Sequence, residues 1–319
     1  MSRKHSSDIG TFLISPTKVS FRFRIDVDIW KRASNLSIDK KRNLARKVID
    51  GFGHEWSVFN YFSDKSESEL NKQFDAYFNI VNLSEYNFEG STAADFGAGS
   101  GRWSYRLIDF FSKIYVLEPS SGAVKILEAK FGRNSKFVIL QQTVDSNDIP
   151  NESLDFAFSL GVLHHIPDTK SALKQISEKL KPGGRFLCYL YYKLDDKPFH
   201  YKFIFKISNL LRFIIARLPF ALKRALTFII AVFVYLPLSR ISKLLHKFGF
   251  AVSNLPLHHY ADLTFEMMAN DSLDRFGTRL EQRFNKNEII EMLRSANFDL
   301  DSLIFSEQEP FWTFTVNKR

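Results

Sequence analysis

The sequence predicts an α/β protein: a doubly wound, mostly parallel seven-stranded sheet whose last strand runs antiparallel, with an N-terminal extension and a helical insert. Three observations predict this. From Thr92 onward short apolar runs alternate with helical patterns. A glycine-rich turn, DFGAGSGRW at 95–103, joins the first run to a stretch with helical apolar spacing. The chain closes on two strand-like runs with no helix between them. Short apolar strands separated by helices imply right-handed crossovers and a sheet covered on both faces.

Residues 1–90 form a polar, aromatic-containing extension, in which ESELNKQFDAYFNIV at 67–81 reads as helix and GHEWSVF at 53–59 as a loop. Residues 91–196 are the core. Its strands are expected at 92–96, 113–117, 136–141, 154–160 and 185–191, with helical patterns near 100–111, 121–131 and 169–180. Lys181-Pro-Gly-Gly ends the third of these helices before the fifth strand. Residues 197–260 break the alternation and form the insert. Residues 261–319 complete the sheet, with a helix over 285–296 and strands at 300–306 and 311–316 separated by EQEP.

Composition narrows the class. At 319 residues with 45% hydrophobic content, the chain holds one large domain or two small ones with a real core. Cys188, the single cysteine, excludes a disulfide framework and a thiolate metal site, and reads as a small buried hydrophobe. The N-terminal MSRKHSSDIGTFLISP lacks the apolar stretch of a signal peptide, so the expected location is cytoplasmic. The net charge of +9 is concentrated: ten Lys and Arg and no acid lie between Asp196 and Asp262, and the remainder is near neutral.

The glycine turn carries the chemistry. Glycine lets a ligand approach the backbone, and a strand-to-helix turn offers free N–H groups. A dinucleotide fingerprint would be G-x-G-x-x-G. Here the glycines fall at 97, 99 and 101, and Arg102 occupies the third-glycine position, so the spacing is wrong for a nicotinamide cofactor.

Asp95, Gly97, Gly99 and Gly101 resemble the first motif of the class I S-adenosylmethionine-dependent methyltransferases, an acid followed by G-x-G-x-G. IYVLEPS then supplies Glu118 at the end of the second strand, where a carboxylate can accept from ribose hydroxyls. VDSNDIP places Asp145, with Ser146 beside it, where the family keeps the acid that meets the adenine amino group. LDFAFSLGVLHHIPD at 154–168, which includes Leu160, resembles the fourth strand and its loop, and LKPGGRF at 180–186 the approach to the fifth. The resemblance implies a Rossmann-like fold, S-adenosylmethionine as cofactor, no metal, and cofactor contacts from Asp95, Gly97, Gly99, Gly101, Glu118, Asp145, Ser146 and Leu160. In that role Asp95 orients the methionine amino end. A wider resemblance, to a subgroup of bacterial methyltransferases, rests on GVLHHIPDT, LYYKLDDKP, the basic apolar insert and DRFGTRLEQRF.

Transfer from a sulfonium needs positioning and, for a protonated acceptor, a base. His164 and His165 lie just past the fourth strand, where the ligand crevice of a parallel sheet opens. Adjacent side chains do not readily share one pocket, so one is structural. His164 and Tyr191 are the candidates for acceptor positioning or base. Tyr191 and Tyr192 are neighbours on a strand, so one is expected to face the pocket and the other the core. His258, His259 and Tyr260 either close the substrate side or cap a loop. A non-catalytic S-adenosylmethionine-binding scaffold at a membrane is the alternative function, and the intact set of cofactor positions speaks against it.

In the insert, Lys202, Lys206, Asn209, Arg212 and Ala216 form a narrow polar stripe on an apolar helix, YKFIFKISNLLRFIIARL at 201–218. ALTFIIAVFVYL at 225–236, bracketed by Pro219 and Pro237, is shorter than the about 20 apolar residues of a bilayer span. The segment therefore reads as a lid that shapes the pocket for a small-molecule or lipid-like acceptor. Its charge adds a second reading for 197–247, contact with an anionic membrane surface from the inner face. Nucleic acid is disfavoured, because RNA binders expose basic and aromatic faces rather than long aliphatic runs.

Overall fold

The structure, a computed structural model, describes residues 37–58, 64–81, 83, 90–252, 255–306 and 311–319. The first 36 residues and the EQEP turn lie outside the described residues. Strands β1 (Thr92–Phe96), β2 (Lys113–Leu117), β3 (Phe137–Leu140), β4 (Leu154–Leu160), β5 (Leu180–Tyr191), β6 (Phe298–Phe305) and β7 (Phe311–Lys318) form one sheet. Their order is β3-β2-β1-β4-β5-β7-β6. β7 runs antiparallel to both neighbours and the other pairs are parallel. The order reverses beside β1, where a doubly wound sheet opens its ligand crevice.

Strand alternation builds two cores. Phe156 and Phe158 of β4 pack on one sheet face with Trp103, Leu107 and Leu187, while Ala157 turns to the other with Phe186, Cys188 and Phe314. The sheet is thus covered on both sides, as the alternating pattern requires. Helices α3 (Ser121–Phe131), α4 (Thr169–Lys179) and α9 (Lys286–Ser295) start on capping side chains from Ser120, Asp168 and Asn285. At α9 the cap is a full capping box with Glu288.

Several local expectations are corrected. The stretch near 100–111 is not an α-helix: only Ser104–Leu107 winds, as a short 3-10 turn. GHEWSVF is not a loop, because 53–58 end the long helix α1 (Ile38–Val58); Phe59 lies outside the described residues. α2 covers Asp64–Phe78. β5 starts at Leu180, before the Pro-Gly-Gly, and its pairing with β4 shifts register between Leu154 and Phe156.

The insert contains α5 (Phe199–Ile215), α6 (Phe220–Ile230) and α7 (Leu236–Lys247). Pro237 does not end a helix. α6 and α7 are continuous through a π turn at Ala231–Tyr235, in which the Leu236 N–H donates to the Ala231 carbonyl. A proline in a helix removes one i→i−4 bond, and a wider turn just before it absorbs that loss. The resulting helix, Phe220–Lys247, is 28 residues long and apolar enough by length and composition to cross a membrane, which overturns the short-helix reading. Its inner side packs on α8 (Phe265–Gly277), where the Ser272 hydroxyl donates to the Thr227 carbonyl at 2.9 Å and Lys223 Nζ to the Gly277 carbonyl at 3.1 Å.

Candidate active site

β1 delivers the glycine turn to the crevice. The N–H groups of Gly97 and Ala98 both donate to the Leu117 carbonyl at 2.9 Å, which folds the turn back over the end of β2. Gly97 has φ +87°, and a Cβ there would lie 2.5 Å from Val162 Cγ1. Only glycine fits that backbone and that gap. Gly101 serves packing instead, since its missing Cβ leaves room for Phe131 and Leu127 of α3.

Glu118 follows β2 directly, with its carboxylate directed at the glycine turn. Oε2 accepts from the Gly99 N–H at 3.0 Å and Oε1 from the Ser120 N–H at 2.8 Å. Each carboxylate oxygen has a second lone pair, so both can take a ligand hydroxyl as well. Asp95, 2% exposed, accepts from the Ser104 hydroxyl at 2.6 Å. Burial pushes both carboxyls up to about 7; backbone donors pull Glu118 back in part, and the nearby Glu118 charge raises Asp95 further. Among the described residues neither has a cation within ion-pair distance.

Carboxyls raised above their unfolded values give stability that is full below about pH 4 and is lost as pH rises through about 7. The melting temperature of the free protein is therefore expected to fall between pH 5 and 8. The Asp95→Asn, Glu118→Gln double variant is expected to flatten that slope in calorimetric melts.

One cavity of about 950 Å³ runs from the glycine turn to the insert. This is at the upper end of the roughly 300–1,000 Å³ of ligand pockets, room for a cofactor and an acceptor together. Of the residues expected at the cofactor, Gly97, Glu118, Asp145 and Leu160 line it. Asp95, Gly99 and Gly101 stand behind the wall, and Ser146 stands outside it. Asp95 supports the turn through Ser104 rather than reaching the cavity. Trp103, Val144 and Val162 add apolar wall, and Arg102 stands beside Trp103, its guanidinium 4.8 Å from the ring.

The acceptor half differs from expectation in its histidine and tyrosine roles. His164 is fully buried, lies outside the cavity wall, and stacks on Tyr191 with ring centroids 3.8 Å apart. Burial, and then the charges of His165 and Arg283, hold its pKa well below the usual value, so the ring is neutral. His165 reaches the cavity, its Nδ1 2.6 Å from the Leu280 carbonyl and its Nε2 3.7 Å from Asp274. Tyr191 and Tyr192 both line the cavity; Tyr191 is the last residue of β5 and Tyr192 lies beyond it, where strand alternation no longer sorts the two. The Tyr191 hydroxyl donates to Asp274 at 2.8 Å. Burial pushes its pKa well above 10, with Asp274 adding to the rise, so it stays a donor.

Sequence reading missed α8. Asp271 and Asp274, three apart on one helical face, both line the cavity. Asp271 accepts from the Tyr260 hydroxyl at 3.0 Å, and burial, with the Asp274 charge, raises it to about 6. His259 and Tyr260 line the substrate side, whereas His258 does not. The usable signal was two acids at helical spacing just after an acid-free insert. α1 was missed too: its Lys41, Arg42 and Phe52 line the outer rim, and Lys41 pairs with Asp168 at 3.1 Å.

Glu281, 1% exposed, holds this side together by bonding Arg275 at 2.9 Å and Arg283 at 2.7 Å. Burial alone would raise it, but the charges of Arg275, Arg283 and Arg212 bring it down to about 2. Glu281→Gln is expected to destabilise the fold by about 3–5 kcal/mol, measured by urea unfolding, because it leaves buried guanidinium charge uncompensated.

The family model for the methyltransferase domain matches residues 94–188, under a third of the chain. A "Methyltransferase" of Claviceps purpurea is 30% identical over 104 residues, which are 33% of this chain and 32% of that protein. An "Uncharacterized methyltransferase" of Anoxybacillus flavithermus is 27% identical over 151 residues, 45% of this chain and 67% of that one. A "tRNA U34 carboxymethyltransferase" of Campylobacter curvus is 28% identical over 157 residues, 47% and 50%. The chain spans about a third of the length of the fungal relatives. The crystal structure of an S-adenosylmethionine-dependent methyltransferase from Mesorhizobium loti superposes with a TM-score of 0.46 at 14% identity, covering 76% of this chain and 98% of that one. Residues 94–188 are thus similar to the methyltransferase domain.

Proposed function

We propose that the chain transfers a methyl group from S-adenosylmethionine to a small-molecule or lipid-like acceptor by in-line displacement. The observation that carries this reading is the single cavity that joins the Gly97–Glu118 wall to the Tyr191, Asp271 and Asp274 cluster. The residues present fit the cofactor: an acid with open acceptor sites for ribose, a second acid at the rim for the adenine amino group, and a turn that only glycine can make. When bound, S-adenosylmethionine supplies an activated methyl on a sulfonium that is its own leaving group.

The chain's own work is positioning and proton removal. Glu118 holds the ribose end and Asp145 the adenine end, while Val162, Leu160 and Trp103 exclude water. Tyr191, held by Asp274 and backed by His164, orients the acceptor. Asp271, near neutral in pKa, takes the acceptor proton. His164 acts through Tyr191 as a positioning residue. The insert, whose Tyr201, Phe205, Val234 and Leu238 reach the cavity, is the lid over the acceptor. A cytoplasmic protein peripheral to the inner face of the membrane is the location that suits a lipid-like acceptor.

The test is transfer of labelled methyl from S-adenosylmethionine in a cell extract separated into organic, aqueous, protein and nucleic-acid fractions. Label that grows with enzyme in the organic or aqueous small-molecule fraction is the expected result. Label confined to nucleic acid or protein contradicts the acceptor class, and no label in any fraction supports the scaffold alternative.

A further inference from the structure

The insert is built with its polar side inward. On α5 the buried or half-buried positions include Ser208, Asn209 and Arg212, while Phe203, Ile207, Leu210 and Ile214 are exposed. Asn209 accepts from Arg275 at 2.7 Å, and Arg212 donates to the Thr278 carbonyl at 3.0 Å. The Phe220–Lys247 helix repeats the arrangement: Lys223, Thr227, Ser239 and Ser242 are buried, while Phe228, Phe233, Ile241 and Leu244 face outward, Phe233 being 73% exposed. A helix facing water shows the opposite order. An apolar face this long exceeds what a soluble surface carries without a partner.

We propose that this outward face docks on an anionic phospholipid bilayer and seats its apolar side chains in one leaflet. Charge selects the partner, since Lys206, Arg217, Arg224, Arg240, Lys243 and Lys247 of this acid-free segment are exposed, and an anionic headgroup layer is their complement. A second copy of the chain would set two such acid-free segments against each other, and like charges repel. The long helix lies in the leaflet rather than crossing it, because its inner side is occupied by α8 from Lys223 to Ser239. The same helices wall the acceptor half of the cavity, so docking sets the lid against the bilayer. The docking itself rests on the surface and not on the transfer reaction.

The test is flotation of the full chain with vesicles of phosphatidylglycerol and phosphatidylcholine, against phosphatidylcholine alone, with S-adenosylmethionine binding measured on the same samples. The chain is expected to float with the anionic vesicles only and to be released by high salt. The Phe233→Asp, Ile241→Asp variant, at two positions that do not line the cavity, is expected to lower partitioning by at least about a hundredfold while binding the cofactor normally. Lys206→Ser, Arg224→Ser, Lys247→Ser is expected to lower it on the order of a hundredfold. Equal flotation with neutral vesicles, or no flotation together with a dimer that Phe233→Asp dissociates, overturns the proposal. Loss of cofactor binding with flotation intact counts against the transfer reading and leaves the docking standing.

Discussion

Asp271→Asn is expected to lower kcat by roughly 10²–10⁴-fold while cofactor affinity and melting temperature change little. The carboxyl sits at the acceptor wall of the cavity, takes a hydrogen bond from Tyr260, and has its pKa raised to about 6 by burial. At neutral pH it is ionised yet close enough to the operating pH to accept a proton efficiently. Asparagine keeps the shape and an acceptor for Tyr260 but has no basic oxygen. The pH profile separates the roles. In the wild type, turnover should rise through an apparent pKa near 6. The variant should lose that limb. Single-turnover rates across pH 5 to 8, with the acceptor fraction found by labelling, make the measurement. A variant that keeps the limb rules Asp271 out as the base.

Gly97→Val carries the second large effect, on binding rather than on the chemical step. The residue would have to adopt φ +87°, which for a β-branched side chain costs on the order of 1–2 kcal/mol or more. Its Cβ would also meet Val162 at 2.5 Å, at the stretch of cavity wall proposed to take the cofactor. Affinity for S-adenosylmethionine is expected to fall at least about a hundredfold in calorimetric titration, and transfer with it, while far-UV circular dichroism stays native. Gly101→Ala makes the contrast. Its Cβ meets Phe131 and Leu127, so it should reduce thermal stability more than intrinsic affinity.

Much of this architecture was legible in the sequence because hydrophobic period and glycine punctuation are local signals. The runs at 92–96, 113–117 and 154–160 are strands with those ends, and α3 covers the predicted 121–131. The turn at Gly97 and the acid at Glu118 stood out because a turn with φ beyond the ordinary range demands glycine, and because a strand that ends in a buried acid breaks its own apolar pattern. The hidden part depends on tertiary placement. Whether His164 or His165 reached the cavity was set by how the 3-10 turn after β4 winds, which adjacent identical residues cannot reveal. Asp271 and Asp274 read as ordinary helix-surface acids until α8 is laid beneath the insert. The helix through Pro237 was missed because proline normally ends a helix, and only the π turn at 231–235 lets this one continue.

The most direct test of the central claim, one cavity that takes the cofactor at the glycine turn and the acceptor at α8, is a crystal structure with S-adenosylhomocysteine. The expected result is adenosine density between Glu118 and Asp145, with the thioether end facing Tyr191 and Asp271 across open cavity. Density elsewhere on the chain, or a homocysteine end turned away from α8, would contradict the account.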